Sequence, residues 1–282
     1  MYSIRSAVGT RLIACLLLVV FSFVPSLRAH GDLHELIENV TAEIAKNPKD
    51  AKLYVSRAEL YRLHEQFDEA LSDLLTAELL DPTLARVEFT RARVYVDLKM
   101  PKTARATLDR FLTREPGSVE GLIARAKVLT DLKETALAIA DYSAAIAAAR
   151  QPLPEYYIER ARLDQLDGGG GRAAALKGLD AGIAKFGPLV TLQLPAIDLE
   201  LADKNYDGAI ARLDTLMAQS QRKETWLERK GQILERAGRA ADAHAAYVAG
   251  LKTLGELPEN IRATQMMVEL KQRLEADLVR VP

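Results

Sequence analysis

The residues that could do chemistry are few and scattered. His30-Gly31-Asp32-Leu33-His34 sets two imidazoles four residues apart. A cut after Ala29 would make His30 a new N-terminus, and its α-amine together with imidazole nitrogens suits copper. The other reading of these residues is a frayed terminus that leads into a helix cap. Gly168-x-Gly170-x-x-Ala173 has the spacing of a dinucleotide loop, yet it follows no strand pattern and joins two helical patterns, where glycines serve as a flexible turn. His64-Glu65 lacks the second histidine of a zinc-protease helix, since Asp68 stands in its place. No Gly-Lys-Ser/Thr phosphate loop occurs, and no serine sits in a nucleophile elbow. The single cysteine, Cys15, excludes an intramolecular disulfide and a cysteine-rich zinc site. Catalysis has no candidate residue, so the chain is expected to be non-enzymatic and to use no cofactor.

The elements around these residues say more. Of 282 residues, 49% are hydrophobic and 27% charged, which excludes a wholly disordered chain. The net charge of −1 argues against a non-specific nucleic-acid binder. Aromatic content of 6% fits poorly with an all-β sandwich.

Residues 1–29 read as an export signal. Arg5 and Arg11 precede an apolar run from Leu12 to Val24, and Leu27-Arg28-Ala29 offers a small residue for cleavage. The run is too short to span a membrane, which takes ~20 residues. Cleavage is expected after Ala29, although Leu27 is large where a small residue is preferred. An uncleaved form would stay anchored in the membrane. Leu12-Ile13-Ala14-Cys15 has the form of a lipoprotein box, but the apolar stretch mostly follows the cysteine instead of preceding it. Cleavage removes Arg5, Arg11 and Arg28 from 38 basic residues, leaving 35 against 39 acidic ones, a net −4.

Beyond this segment the chain repeats itself. Pro48, Pro82 and Pro116 are 34 residues apart, and so are Arg57-Ala58, Arg91-Ala92 and Arg125-Ala126. Ala70, Ala104 and Ala138 keep that period, as do Leu74, Leu108 and Tyr142, and Tyr61, Tyr95 and Leu129. Within one unit Tyr54, Ala58 and Tyr61 recur at helical spacing, then Phe67, Ala70, Leu74 and Ala77, so each unit predicts two amphipathic helices. Asp81-Pro82 ends the second, because proline disfavours the helical conformation of the residue before it.

Tyr54, Ala58, Tyr61, Phe67, Ala70, Leu74, Ala77 and Pro82 make this unit resemble the tetratricopeptide repeat (TPR) family. The resemblance implies an all-α, right-handed superhelix of about six helix-turn-helix repeats, near 51–84, 85–118, 119–153, 154–189, 190–223 and 224–257. The fourth repeat slips in period at Gly168–Gly171, and the fifth carries Pro195 inside its first helix. Residues 30–50 are expected to form an N-terminal capping helix that starts at an Asp32-x-x-Glu35 capping box. Residues 258–282 are expected to form a C-terminal one that starts at Pro258, with Met267, Leu270, Leu274 and Leu278 inside and Lys271, Arg273, Glu275 and Asp277 outside.

The resemblance further implies a concave surface, lined by the first helices, that binds a peptide or protein segment. On it Arg93, Lys127 and Arg162 would form a basic track beside Phe89, Ile123 and Ile158, suited to an acidic partner with apolar anchors. The same charges could instead pair with Asp97, Asp131 and Glu155. Arg57, Arg91, Arg125 and Arg160 sit nearer the helix-pair edge, where ion pairs from Arg57 to Asp73 and from Arg125 to Asp141 are expected. Groove asparagines, used by family members that clamp a terminal carboxylate, are missing from the first helices. The function expected is an exported scaffold, most simply periplasmic. A copper-handling protein using His30 and His34 and a self-assembly module are the alternatives.

Overall fold

A computed structural model describes residues 25–166 and 168–281, with side chains from Leu33 onward. The expected signal segment lies largely outside the described residues. The described chain is helical throughout and contains no strand. It divides into two compact units, one ending at Leu98 and the other beginning at Lys99.

The first unit holds α1 (Pro25–Lys46), α2 (Ala51–Leu63), α3 (Phe67–Leu80) and α4 (Arg86–Asp97). Asp50 caps α2, its carboxylate accepting from the Lys52 amide. Asp81, the residue before Pro82, is extended (φ −142°, ψ 91°) and stops α3. Ala58, Ala70, Leu74 and Ala77 are fully buried between the helices, with Tyr54, Tyr61 and Phe67 packed around them. Small residues let the axes approach, and the large ones fill the space beside them. One expectation fails here. Helix α1 begins at Pro25, so Asp32 lies inside it and is not its cap. Proline is tolerated in the first helical turn, and Ser26 to Ala29 contain nothing that breaks a helix.

The second unit runs through α5 (Pro101–Arg114), α6 (Val119–Asp131), α7 (Thr135–Ala148), α8 (Pro154–Asp164), α9 (Gly171–Phe186), α10 (Val190–Ala202), α11 (Tyr206–Gln219), α12 (Glu224–Arg236), α13 (Ala240–Gly255), α14 (Glu259–Arg262) and α15 (Gln265–Arg280). Pro101 and Pro154 occupy first-turn positions, and Ser118 and Asn205 cap α6 and α11. Pro195 sits inside α10 without ending it. The fourth repeat's connection spans 165–170, where the first repeat's spans 64–66.

The turn within a repeat has a common form. Glu65, Lys99, Lys133, Lys204 and Gly238 all adopt left-handed backbone, with φ between 58° and 75°. The next amide reaches back five residues, from Gln66 to Tyr61, from Glu134 to Leu129, from Asn205 to Glu200 and from Arg239 to Leu234. This closure satisfies carbonyls left open at the helix end.

At the C-terminus Tyr247, Met267, Leu270 and Leu274 are almost fully buried in one cluster with Leu213 and Ile233. Burying a side chain of this size is worth about 1.5–3 kcal/mol. Gly231 admits Tyr247 directly, since a Cβ there would lie 2.2 Å from the ring. Two details differ from expectation. Pro258 opens only the four-residue α14, and the long helix starts at Gln265. Asp277 is buried rather than outward, and its carboxylate lies 2.8 Å from the Arg280 guanidinium.

Candidate functional site

In the first unit, α2 and α4 lie side by side and present Glu59 and Arg93 to each other at 2.8 Å. Arg62, one turn on from Glu59, binds that carboxylate at 2.7 Å and Asp97 at 2.5 Å. Glu59 is thus held by two guanidinium groups. The bond to Glu59, against the opposing effect of burial, raises the Arg62 pKa and keeps it charged. Arg93 is therefore no free cation, and Asp97 is the partner of Arg62 instead. Phe89 is 5% exposed and lies beneath the guanidinium of Arg86, 4.6 Å from its ring centre. It belongs to the packing and offers no open apolar anchor; its helical position faces inward one turn before Arg93.

Beside this cluster a cavity of about 510 Å³ opens between α2 and α4. Lys52, Val55, Ser56 and Glu59 line it from α2, and Leu84, Arg86 and Thr90 from the loop and start of α4. Glu59 stands 34 residues before Arg93 in the same column, and Lys52, Val55 and Ser56 fall on its helix face at one- and two-turn spacing, so the period could have found them. Leu84 and Arg86 carried no such signal, because the α3–α4 connection sets their position.

In the second unit, Lys127 is exposed on α6. Arg162 on α8 lies 3.0 Å from Glu159 on its own helix, not from Glu155. Ile123 and Ile158 are partly buried, packed against Tyr142 and Leu163 in one case and Tyr157 and Ala161 in the other. Asp198 on α10 pairs with Arg229 on α12 at 2.7 Å. Of the three cations expected to form a track, two are neutralised by neighbouring carboxylates.

The arginines at the helix-pair edge form the expected pairs. Arg57 grips both oxygens of Asp73 at 2.7 Å, and its remaining nitrogen reaches Thr41 on α1 at 3.0 Å. Arg125 grips Asp141 at 2.7 and 2.8 Å and reaches Asp109 on α5 at 2.8 Å. Hydrogen bonds to these carboxylates, opposed by burial, raise both arginine pKa values. Arg160 lies 3.8 Å from Asp164 and covers Gly178, whose added Cβ would stand 3.1 Å from it. Such forks tie a first helix to the second helices on either side.

His34 is exposed on α1, its Nε2 3.3 Å from Glu38. The His30 side chain and the bond after Ala29 lie outside what is described. Among the described residues no group of three or more His, Cys, Asp or Glu converges on a metal position, and no helix is long and apolar enough to cross a membrane.

Two family models match the chain, a tetratricopeptide repeat over residues 89–152 and a tetratricopeptide repeat-like domain over 177–272. The chain belongs to the tetratricopeptide repeat family. Its all-α helix-turn-helix architecture is that of this family, and the TPR repeats make it a protein-interaction scaffold. Human tetratricopeptide repeat protein 28 is 29% identical over 93 residues, 33% of this chain. The match spans only 4% of that protein's length. YrrB, a TPR protein with an unusual peptide-binding site, superposes with a TM-score of 0.52 at 21% identity, over 64% of this chain and 91% of YrrB. A TPR protein from Parabacteroides merdae superposes with a TM-score of 0.50 at 17% identity, over 89% of this chain and 95% of its own.

Proposed function

We propose that this chain is an exported, non-enzymatic scaffold of the cell envelope that holds a peptide or protein segment against the face of its first helices. The observation that supports this reading is the cavity between α2 and α4. It has apolar wall from Val55 and Leu84 and hydroxyls from Ser56 and Thr90. A site of about 300–1,000 Å³ with a few polar groups is of a size to take one side chain and its flanking backbone. Glu59 is held within the chain by Arg62 and Arg93, and the cations Lys52 and Arg86 stand in the cavity lining, where they suit an acidic segment.

A photo-crosslinking residue placed at Ser56 tests this in the producing cell, with the same residue at Leu79 as control. Leu79 is 76% exposed on α3 and lines no part of the cavity. A discrete adduct from position 56 and none from position 79 is expected. Equal adducts from both, or none from position 56, would overturn the reading.

A further inference from the structure

The edge cations are received in different ways along the chain: Arg91 of the second repeat has Thr107 sixteen residues on and pairs instead with Glu78 and Glu88. In the first and third repeats the first-helix cation is received by a carboxylate sixteen residues on, Asp73 for Arg57 and Asp141 for Arg125. In the fourth repeat, whose longer turn shifts the count to eighteen, the equivalent position is Gly178, and the Arg160 guanidinium itself fills the room. In the sixth repeat the cation is Lys230, on the shorter-reaching side chain, and the residue sixteen on is Ala246. Neither a carboxylate nor a guanidinium occupies the place.

A cavity of about 430 Å³ opens there, between α11, α12 and α13. Ile210, Leu227, Leu234 and Ala246 line its apolar part, and Lys230 stands at its side. The Lys230 ammonium has three N–H groups and one hydrogen bond, to Asp214 at 2.6 Å. Asp214 plays the part that Asp109 plays for Arg125, sixteen residues before the cation. At the rim Asp242 is held by Arg239 at 2.8 Å, so each acid beside the cavity already has its cation.

We infer that this cavity binds a small aliphatic carboxylate. The ligand's charged end would take the position held by Asp73 and Asp141 in their repeats and accept hydrogen bonds from Lys230. Its hydrocarbon chain would lie on Leu227, Leu234 and Ile210. A carboxylate on an ammonium forms a charge-assisted bond, and the covered apolar wall rewards a short chain over bare acetate. The site lies on the seam between first and second helices of the second unit.

The test titrates the full chain with butanoate, followed by NMR shifts of the alanine methyl groups, with butylammonium as the cationic control. Saturable shifts at Ala245 and Ala246 are expected within about 10 mM butanoate, in the millimolar range of a single charge-assisted contact. Lys230→Gln should weaken binding about tenfold or more, the worth of one bond to a charged group. Ala246→Asp should abolish it, because the chain then supplies its own carboxylate. Absence of saturation, unchanged affinity in Lys230→Gln, or equal binding of butylammonium would overturn the proposal. Should Ala246→Asp fail to fold by circular dichroism, Lys230→Gln, at a partly exposed position, still decides.

Discussion

A methyl group added at Gly231 would sit 2.2 Å from the Tyr247 ring, while one added at Gly255 would meet nothing within 4 Å. The two positions therefore respond in opposite ways to the same change. Gly231→Ala is expected to cost about 1–3 kcal/mol in urea unfolding, as overpacking does. Gly255→Ala, at the end of α13, should gain up to about 0.5–1 kcal/mol by restricting the unfolded chain. A further residue-scale effect depends on pH. Burial pushes the Tyr142 hydroxyl up from its ordinary value of 10 to about 12, so the folded state favours the protonated form. Its contribution to stability is complete below pH 10 and is lost as pH rises from 10 towards 12. Unfolding midpoints measured across that window should fall for the wild type and fall less for Tyr142→Phe, which has no proton to lose.

At the scale of the element, ion pairs divide by burial. Arg125 holds a carboxylate that is 7% exposed, whereas Arg162 and Glu159 are both open to water. Arg125→Met leaves Asp141 charged and covered, and should cost about 2–3 kcal/mol. Arg162→Met should cost about 0–1 kcal/mol, the worth of an exposed pair. Chemical denaturation of the two variants separates them. Sequence spacing foretold the first of these pairs, because a residue sixteen positions on lands on the facing turn of the next helix. It foretold the helices and their order for the same reason, as Ala58, Ala70 and Leu74 recur with the period of the packing they make. The basic track was not legible in this way. Arg93 and Glu59 are 34 residues apart, and reading columns one at a time lines up like residues while hiding the unlike ones that meet across neighbouring helices. Phe89 likewise looked like a groove residue by column, yet Arg86 covers its ring, a contact made within a single turn of α4. The α2–α4 cavity depends on where the α3–α4 loop places Leu84, and no spacing rule encodes a loop's path.

At the scale of the molecule, stability in a stacked array is approximately a sum of neighbour terms, and the last element matters most where it covers an apolar face. Helix α15 places Leu270 and Leu274 on the cluster around Tyr247 and ties itself to α12 through Arg273 and Glu228 at 2.6 Å. Deleting residues 264–282 should leave that cluster open to water, with a lower thermal midpoint and higher light scattering than the full chain. Export is tested on the intact N-terminus. Residues 1–50 fused to a phosphatase that is active only outside the cytoplasm should give active enzyme, and Leu17→Arg, within the apolar run, should abolish it. A phosphatase left inactive by the wild-type segment would remove export from the reading.

The left-handed turns carry one more consequence. Three of them place a lysine at the outermost point between two helices, Lys99, Lys133 and Lys204, and each is exposed. A lysine-specific endoprotease cuts after lysine alone and needs a short stretch of chain that can leave its helix. These three peptide bonds meet both conditions, whereas Lys177 and Lys230 lie within helices. Brief digestion of the folded protein should therefore release fragments ending at 99, 133 and 204, breaks in the middle of a repeat, beside those after Lys49 and Lys223 in the connections between repeats.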